Sequence, residues 1–207
     1  MRKNKYVAFE GLDGCGKSTQ SEWLVKRLQE RGEKALWTRE PGSPLIGINL
    51  RELILSHAKV EKATLELILQ ADRAEHTAKV KQLLDEGYWI ISDRSAISGY
   101  VYGTACGNNP HQLLNVMAYS IQVYPDQVFY FDIPVEEAER RRIARGLPAT
   151  REEVKGLAFK NTLRDSFKHL CKTPLKNKLG GNVPMLEVDG MLPKAEVANL
   201  IDRVLEL

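Results

Sequence analysis

The sequence has few cysteines and no long apolar run. Its 207 residues include three cysteines, Cys15, Cys106 and Cys171, an odd and sparse set without the spacing of metal ligands. This excludes a disulfide scaffold and a zinc module, and it indicates the reduced thiols of a cytoplasmic protein. No apolar run approaches the ~18–20 residues that a membrane span needs, and the apolar stretch near the amino terminus is too short for a signal peptide. We therefore expect a cytoplasmic protein without a membrane partner.

Low-complexity tracts, internal repeats and Pro/Gly/Ser linkers are also missing from the sequence. The hydrophobic fraction of 43% and the charged fraction of 28% are ordinary for a folded soluble chain. At about 150 residues per domain, this length favours a single domain over residues 1–207. Intrinsic disorder and a multidomain array are both excluded.

Positive charge is concentrated in one segment. Residues 140–178 hold twelve Lys/Arg against three Asp/Glu, which gives a local charge of +9. The net charge of the whole chain is +3, so the remaining residues together carry −6. Such a segment binds nucleotide phosphates, binds a nucleic acid, or simply forms a solvated helix face. Charge alone does not decide between these alternatives.

The hydrophobic pattern alternates between short apolar runs and helical periodicity. Five runs, several apolar throughout, predict strands that are buried on both faces. They cover 6–10, 35–38, 88–91, 128–131 and 185–188. Helical patterns cover 17–31, 47–56, 63–86, 95–105, 110–122, 135–145, 152–171 and 194–206. This order predicts an α/β fold: a five-stranded parallel sheet with helices on both faces and with ligands at the carboxyl ends of the strands.

A phosphate-binding motif follows the first predicted strand. Residues 11–18 read GLDGCGKS, which fits G-x-x-x-x-G-K-[ST], and an amphipathic helix comes directly after them. Such a loop turns its backbone N–H groups inward, and the helix adds its positive amino end. Lys17 is then expected on the β- and γ-phosphates, and the Ser18 hydroxyl on Mg²⁺. The motif predicts a nucleotide site.

Two residues inside this loop have open assignments. Asp13 is an acid that a triphosphate cradle does not need, so it either accepts a hydrogen bond from a sugar hydroxyl or simply favours the turn. Cys15 lies at a helix amino end that would lower a thiol pKa, or it is a small side chain that fills the loop.

The next two predicted strands also end in residues that suit a phosphate site. The second is followed by TREPG at 38–42, in which Arg39 offers a planar and permanently charged donor. The third is followed by Asp93, a candidate metal ligand, and by Arg94, a second hydrogen-bond donor for a phosphate group. In the helix at 63–86, Leu69 and Arg73 share a face. Arg73 either snorkels at the rim of the core or donates to a base carbonyl.

These motifs together resemble the bacterial-type thymidylate kinase family. The resemblance rests on EGLDGCGKST at 10–19, TREPG at 38–42, ADRAEH at 71–76 and DRSAISGYVY at 93–102, and it runs from the first strand to the last helix. It implies a P-loop fold of the nucleoside monophosphate kinase type, usually a homodimer. It also implies ATP- and Mg²⁺-dependent conversion of dTMP to dTDP in dTTP synthesis, with no nucleic-acid partner.

The resemblance implies a role for each matching residue. The ATP phosphates would be held by Gly11, Leu12, Asp13, Gly14, Cys15, Gly16, Lys17, Ser18 and Thr19. The metal would be placed by Ser18 and Asp93. On the dTMP side, Arg39 and Arg94 would bind the phosphate, Asp13 the 3′-hydroxyl and Arg73 the thymine carbonyl. Ser98 would face the base, Tyr102 would exclude a 2′-hydroxyl, and Leu53 and Leu69 would line the same pocket.

The negative charge of the transferred phosphoryl group is expected to be neutralised by Lys17, Mg²⁺, Arg94 and an arginine from a lid. Residues 146–156 resemble the family's mobile lid, where Arg151 would be catalytic, with Arg141 and Arg145 on the adenine side. The alternative is that the catalytic arginine is Arg145 or Arg141. One branch of the family carries an arginine inside the phosphate loop. That slot is Gly14 here, so the charge would have to come from the lid.

Two positions depart from the family pattern, and two rival functions remain. Leu69 replaces a phenylalanine that stacks on thymine, and Ser95 replaces a tyrosine, which leaves the breadth of monophosphate specificity open. A deoxynucleoside kinase would need a carboxylate base, for which Glu40 and Asp93 are the candidates at strand ends. A nucleic-acid-binding P-loop protein would use the basic segment 140–178.

Overall fold

The computed structural model describes residues 4–45, 50, 61–146, 153–177 and 180–207. Apart from residue 50, the predicted helix at 47–56 lies outside these residues, as do Leu53, Arg151 and most of the proposed lid. Within the described part, no helix is long and apolar enough to cross a membrane.

Five parallel strands form one sheet in the order β2-β3-β1-β4-β5. They are β1 Tyr6–Glu10, β2 Ala35–Arg39, β3 Trp89–Asp93, β4 Gln127–Asp132 and β5 Met185–Asp189. Every residue of the central strand β1 is buried, which requires cover on both faces of the sheet. The predicted α/β fold with a five-stranded parallel sheet is confirmed.

Seven α-helices are described, and all of them coincide with predicted ones. They are α1 Lys17–Glu30, α2 Lys62–Asp85, α3 Ala96–Ala105, α4 Pro110–Ser120, α5 Val135–Ala144, α6 Gly156–Lys172 and α7 Lys194–Leu205. The largest difference concerns the helix expected at 152–171. A separate 3₁₀ turn covers Glu153–Lys155, and the α-helix starts at Gly156, whose φ of +82° interrupts a continuous helical backbone.

Strands β2 and β3 are longer than predicted, and this places functional residues inside the sheet. Arg39 and Asp93 are the last residues of their strands, and the register pairs them directly. Phe9 pairs with Asp93 from the other side. The carboxyl ends of β1, β2 and β3 therefore bring the phosphate loop, Arg39 and Asp93 to a single edge.

Helix α5 packs directly on the phosphate loop at Gly14. A Cβ at this glycine would collide with the carbonyl oxygen of Ala138 and lie 3.2 Å from the backbone nitrogen of Arg142. The φ of +92° also favours glycine. This conformation leaves no room for an arginine in the slot where one branch of the family carries it.

We expect Gly14→Ala to destabilise the protein more than Gly32→Ala. Gly32 has a similar φ of +78°, but no described atom lies within 4 Å of a Cβ there. Both variants bear the left-handed backbone cost of roughly 1–2 kcal/mol. Only Gly14→Ala adds the overlap with Ala138, worth roughly 1–3 kcal/mol more. Urea unfolding measures both free energies, and equal losses would show that α5 can withdraw from the loop without cost.

Candidate active site

The phosphate loop, residues 11–18, joins β1 to α1. Gly11, Gly14 and Gly16 all have positive φ, which lets the backbone wrap inward. Among the described side chains, none caps the first turn of α1. Its N–H groups are therefore available to an anion, and the helix dipole adds to the attraction. This geometry suits the phosphates of a nucleotide.

Asp13 lies between the two cations nearest this loop. Its Oδ1 is 2.9 Å from Lys17 Nζ and 2.7 Å from Arg94 Nη2. Lys17 Nζ also donates to the Leu12 carbonyl at 3.3 Å. Lys17 is 4% exposed, so its charge lies in a partly dehydrated environment. The arrangement concentrates positive charge at the point where the phosphate loop meets the end of β3.

The pKa shifts of Asp13 and Lys17 keep both groups charged at neutral pH. The Lys17 ammonium, burial and the Arg94 guanidinium all act on Asp13, and together the two cations hold its pKa well below the ordinary range. Burial and Arg94 lower the pKa of Lys17, but Asp13 and Asp93 raise it further, so the net shift is upward. The site therefore carries permanent charge for binding phosphate.

Arg94 is fixed along its whole length. Its φ of +73° places a non-glycine residue in the left-handed region, where its N–H donates to the Phe9 carbonyl at 2.9 Å. The Ser92 hydroxyl donates to the Arg94 carbonyl at 2.6 Å. Its guanidinium donates to Ser98 Oγ at 3.1 Å and lies 5.2 Å from the ring centre of Tyr102. This guanidinium is held in one orientation before any substrate arrives.

Ser18 and Asp93 form the candidate metal position. The Ser18 hydroxyl donates to Asp93 Oδ2, and Lys17 Nζ is 4.0 Å from Oδ1. Asp93 Oδ1 is buried and accepts no hydrogen bond from the described residues. Hard oxygen donors of this kind, one hydroxyl and one carboxylate with a free lone pair, fit Mg²⁺, which uses few protein ligands beside phosphates. In the described part of the chain no cluster of three His, Cys, Asp or Glu exists that could hold a metal by itself.

The TREPG segment and α2 are joined by a buried network. His76 Nδ1 lies 2.8 Å from Glu40 Oε1, and its Nε2 lies 3.0 Å from Thr38 Oγ1. The carboxylate of Asp72 accepts the N–H of Gly42. TREPG and ADRAEH thus form a single structural unit, in which the polar residues of ADRAEH attach α2 to the turn after β2. The spacing of these polar residues along the helix is the feature of the sequence that could have indicated this attachment.

Arg73 is buried in this unit and does not snorkel at the rim of the core. Its Nε is 3.4 Å from Glu40 Oε2 and its Nη1 is 3.7 Å from Glu66 Oε1. Neither nitrogen has a hydrogen-bond partner among the described residues. A Cβ at Gly99 would lie 2.5 Å from its Cζ, so α3 can approach Arg73 this closely only with glycine there. Incompletely satisfied donors in a buried guanidinium suit a ligand acceptor.

The other predicted dTMP-side residues surround the same region. Arg39 is half-buried, donates to the Gly42 carbonyl at 3.3 Å and lies 6.0 Å from the Trp37 ring centre. Leu69 is half-buried one turn before Arg73 on α2. Tyr102 lies beside Arg94 on α3. The structure thus brings α2, α3 and the end of β2 together, as a single pocket for an acceptor requires.

Cys15 is 1% exposed inside the phosphate loop. Burial raises the pKa of its thiol, although Lys17 acts in the opposite direction. It is therefore a small side chain that fills the loop, and the alternative of an activated thiol is not supported.

Most of the described basic residues in 140–178 are paired with carboxylates from just before the segment. Arg140 and Arg141 bind Glu137, Arg142 and Lys160 bind Glu139, and Arg164 and Lys168 bind Asp132. The Arg164 pair is bidentate and, with the other partners, lowers the pKa of Asp132 to about 2. Three carboxylates thus pair with six of the described cations, which lowers the local positive charge but does not cancel it.

The two arginines predicted on the adenine side, Arg141 and Arg145, differ in their surroundings. Arg141 donates to the Gly190 carbonyl at 3.0 Å and contacts the Met191 sulfur at 3.4 Å, which ties α5 to the loop after β5. Arg145 is exposed at the end of α5. Both lie next to the start of the predicted lid.

One buried acid in this region had no role in the sequence analysis. Glu10, the last residue of β1, is 0% exposed and accepts hydrogen bonds from Ser95 and Ser98 at the start of α3. A charged residue that ends an otherwise apolar strand was its only signal in the sequence.

Comparison with known proteins agrees with this geometry. A family model described as thymidylate kinase matches residues 9–179. The thymidylate kinase of Nitrosomonas eutropha is 33% identical over 210 residues, which cover 100% of this chain and 94% of that protein. That of Prochlorococcus marinus strain MIT 9312 is 39% identical over 181 residues, 82% of this chain and 84% of the relative. That of Burkholderia thailandensis is 31% identical over 212 residues, 99% and 98% of the two chains. The chain therefore belongs to the thymidylate kinase family.

Proposed function

We propose that this member of the family transfers the γ-phosphoryl group of ATP to dTMP, giving dTDP for dTTP synthesis. The observation that carries the proposal is the contact of Lys17 and Arg94 with the same carboxylate, Asp13. One cation belongs to the loop for the donor phosphates, and the other belongs to the strand end expected to hold the acceptor phosphate. Phosphoryl transfer needs both phosphates side by side with their charge neutralised.

On the donor side, the phosphate loop and Thr19 bind the phosphates of ATP. Arg141 and Arg145 lie toward the adenine, and the lid around 146–156 contributes Arg151. The residues Ser18 and Asp93 would hold Mg²⁺, which when bound neutralises charge on the donor phosphates. The buried Asp93 Oδ1, which accepts no hydrogen bond from the described residues, supports this assignment.

On the acceptor side, Arg39 and Arg94 bind the dTMP phosphate, and Asp13 accepts from the 3′-hydroxyl. The Arg73 guanidinium donates to the thymine carbonyl, which supplies an acceptor to its unsatisfied nitrogens. Tyr102 excludes a 2′-hydroxyl, and Leu53, Leu69 and Ser98 complete the pocket. No general base is needed, because the acceptor phosphate is already an anion.

Catalysis then consists of positioning and charge compensation. Lys17 and Arg94 are both held on Asp13 and need little reorganisation as negative charge spreads over the transferred group. Arg151 adds charge when the lid closes, which also excludes water.

The rival functions have less support. Glu40, a candidate base for a deoxynucleoside kinase, is 3% exposed and bound to His76 and Arg73, so it is not available to a 5′-hydroxyl. The pairing of the basic residues in 140–178 with Asp132, Glu137 and Glu139 leaves less charge for a nucleic acid. We propose a cytoplasmic homodimer that binds neither nucleic acid nor membrane.

The function is tested by measuring ADP release with dTMP, dUMP, dCMP, dGMP and thymidine as acceptors. We expect the highest kcat/KM with dTMP and no turnover of thymidine. The matched control is Lys17→Ala, which should fold normally and lose kcat by roughly 10²-fold or more, since its charge compensates the transition state. Preferred turnover of thymidine would establish the nucleoside kinase instead, and near-normal turnover by folded Lys17→Ala would remove the mechanism.

We expect Leu69→Phe to tighten dTMP binding by up to ~10-fold. Stacking on a base is worth roughly 1–3 kcal/mol, whereas leucine offers only apolar contact, and about 1.4 kcal/mol is tenfold in affinity. Calorimetry measures the dTMP affinity, and thermal unfolding detects strain from the larger ring, roughly 1–3 kcal/mol. The control is Leu67→Phe, on the same helix but 61% exposed. A stable Leu69→Phe protein with unchanged affinity would mean that this helix face does not contact the base.

A further inference from the structure

The carboxylate of Glu10 lies beneath the amino end of α3, at the point where β1 gives way to the phosphate loop. Its Oε1 accepts the Ser95 N–H at 2.8 Å, the Ser95 hydroxyl at 2.8 Å and the Ser98 N–H at 3.1 Å. Its Oε2 accepts the Ser98 hydroxyl. The residue is 0% exposed, and the rest of its strand is apolar.

A buried carboxylate needs a reason beyond packing. Removing a charge from water is costly, and an apolar side chain could fill this position in a strand that is already buried. Burial raises the pKa of Glu10, while Arg94 and the hydrogen bonds from Ser98 and Ser95 counteract that shift. Arg94 is the cation that lowers this pKa, and the Ser98 hydroxyl connects its guanidinium to the Glu10 carboxylate.

The Ser98 hydroxyl has one proton, and this fixes the direction of the connection. Because the proton goes to Glu10 Oε2, the oxygen presents its lone pairs to Arg94 Nη1 at 3.1 Å. The other end of the guanidinium, Nη2, binds Asp13 at 2.7 Å. Arg94 is thus held by two carboxylates, directly by Asp13 and through one hydroxyl by Glu10.

We propose that Glu10 is a positioning residue for the acceptor phosphate: by holding the Ser98 hydroxyl as a hydrogen-bond acceptor, it aims Arg94 at the phosphate of dTMP. The inference rests on the proposed function of Arg94. It also assigns the Ser98 hydroxyl to Arg94, so Ser98 contributes to the pocket chiefly through this contact.

Glu10→Gln tests the direction of the hydrogen bond with almost no change of shape. The amide oxygen can replace Oε1 and keep the three hydrogen bonds that anchor α3. The amide nitrogen, in the place of Oε2, can only donate to Ser98. The Ser98 O–H then points toward Arg94 Nη1, so two hydrogen-bond donors face each other and the contact is lost. We expect kcat/KM for dTMP to fall by about 10-fold, the scale of one hydrogen bond to a charged group, with the KM for ATP unchanged.

A double-mutant cycle with Ser98→Ala separates positioning from a general structural role. Since the effect of Glu10 passes through Ser98, the double variant Glu10→Gln/Ser98→Ala should be no worse than Ser98→Ala alone, within about two-fold. Losses that multiply, or a KM for ATP that rises together with the KM for dTMP, would overturn the proposal. If Glu10→Gln does not fold, Ser98→Ala alone decides: it must lower kcat/KM for dTMP by about 10-fold at an unchanged KM for ATP.

Two further variants complete the test. Ser95→Ala removes a different hydrogen bond to Glu10 and the cap of α3, so it should lower Tm and leave kcat/KM for dTMP unchanged. Arg94→Ala distinguishes a failure of the role proposed for Glu10 from a failure of the function proposed for Arg94. If it is impaired while Glu10→Gln is not, the positioning role of Glu10 alone is wrong. If Arg94→Ala is itself unimpaired, the proposed function of Arg94 is wrong, and the positioning role is overturned with it.

Discussion

The contact of the Asp13 carboxylate with Lys17 and Arg94 is the interaction on which the active site depends. Lys17 is buried and Arg94 is partly buried, and the two cations would repel each other without an anion between them. Asp13 accepts a hydrogen bond from each of them, from Lys17 at the phosphate loop and from Arg94 just after β3. The sheet makes this possible, because β1 and β3 are neighbours and their carboxyl ends meet.

The proposed acceptor side depends on a second set of buried acids. Glu40 and Asp72 join α2 to the turn after β2, and Glu66 flanks Arg73 from its own helix. Glu10 acts in the same way beneath α3. Arg73 and Arg94 are therefore oriented in part by carboxylates, those of Glu40, Glu66 and Glu10, that do not themselves need to touch a nucleotide. Such preorganisation favours catalysis by charge compensation, because little must move during the reaction.

Local pattern was sufficient to predict the strands, the described helices and the phosphate loop, because each depends on residues adjacent in the sequence. The clustering of Arg39, Asp93 and Lys17 was also predictable, since parallel strand ends share one edge. Contacts through space were not predictable. The approach of Ala138 to Gly14 and the link from Arg94 through Ser98 to Glu10 depend on how distant helices pack. For Arg73, the sequence suggested both of the alternatives but could not choose, because burial is a tertiary property.

The most direct test of this account is the turnover of Asp13→Asn at saturating ATP and dTMP. The amide keeps the shape of the side chain but removes the charge that both cations share. We expect a folded protein whose kcat falls at least ~10-fold, because charge-assisted hydrogen bonds to Lys17 and Arg94 are worth roughly 1.5–3 kcal/mol each. An unchanged kcat with only a higher KM for dTMP would contradict the account and leave Asp13 as a ligand of the sugar alone.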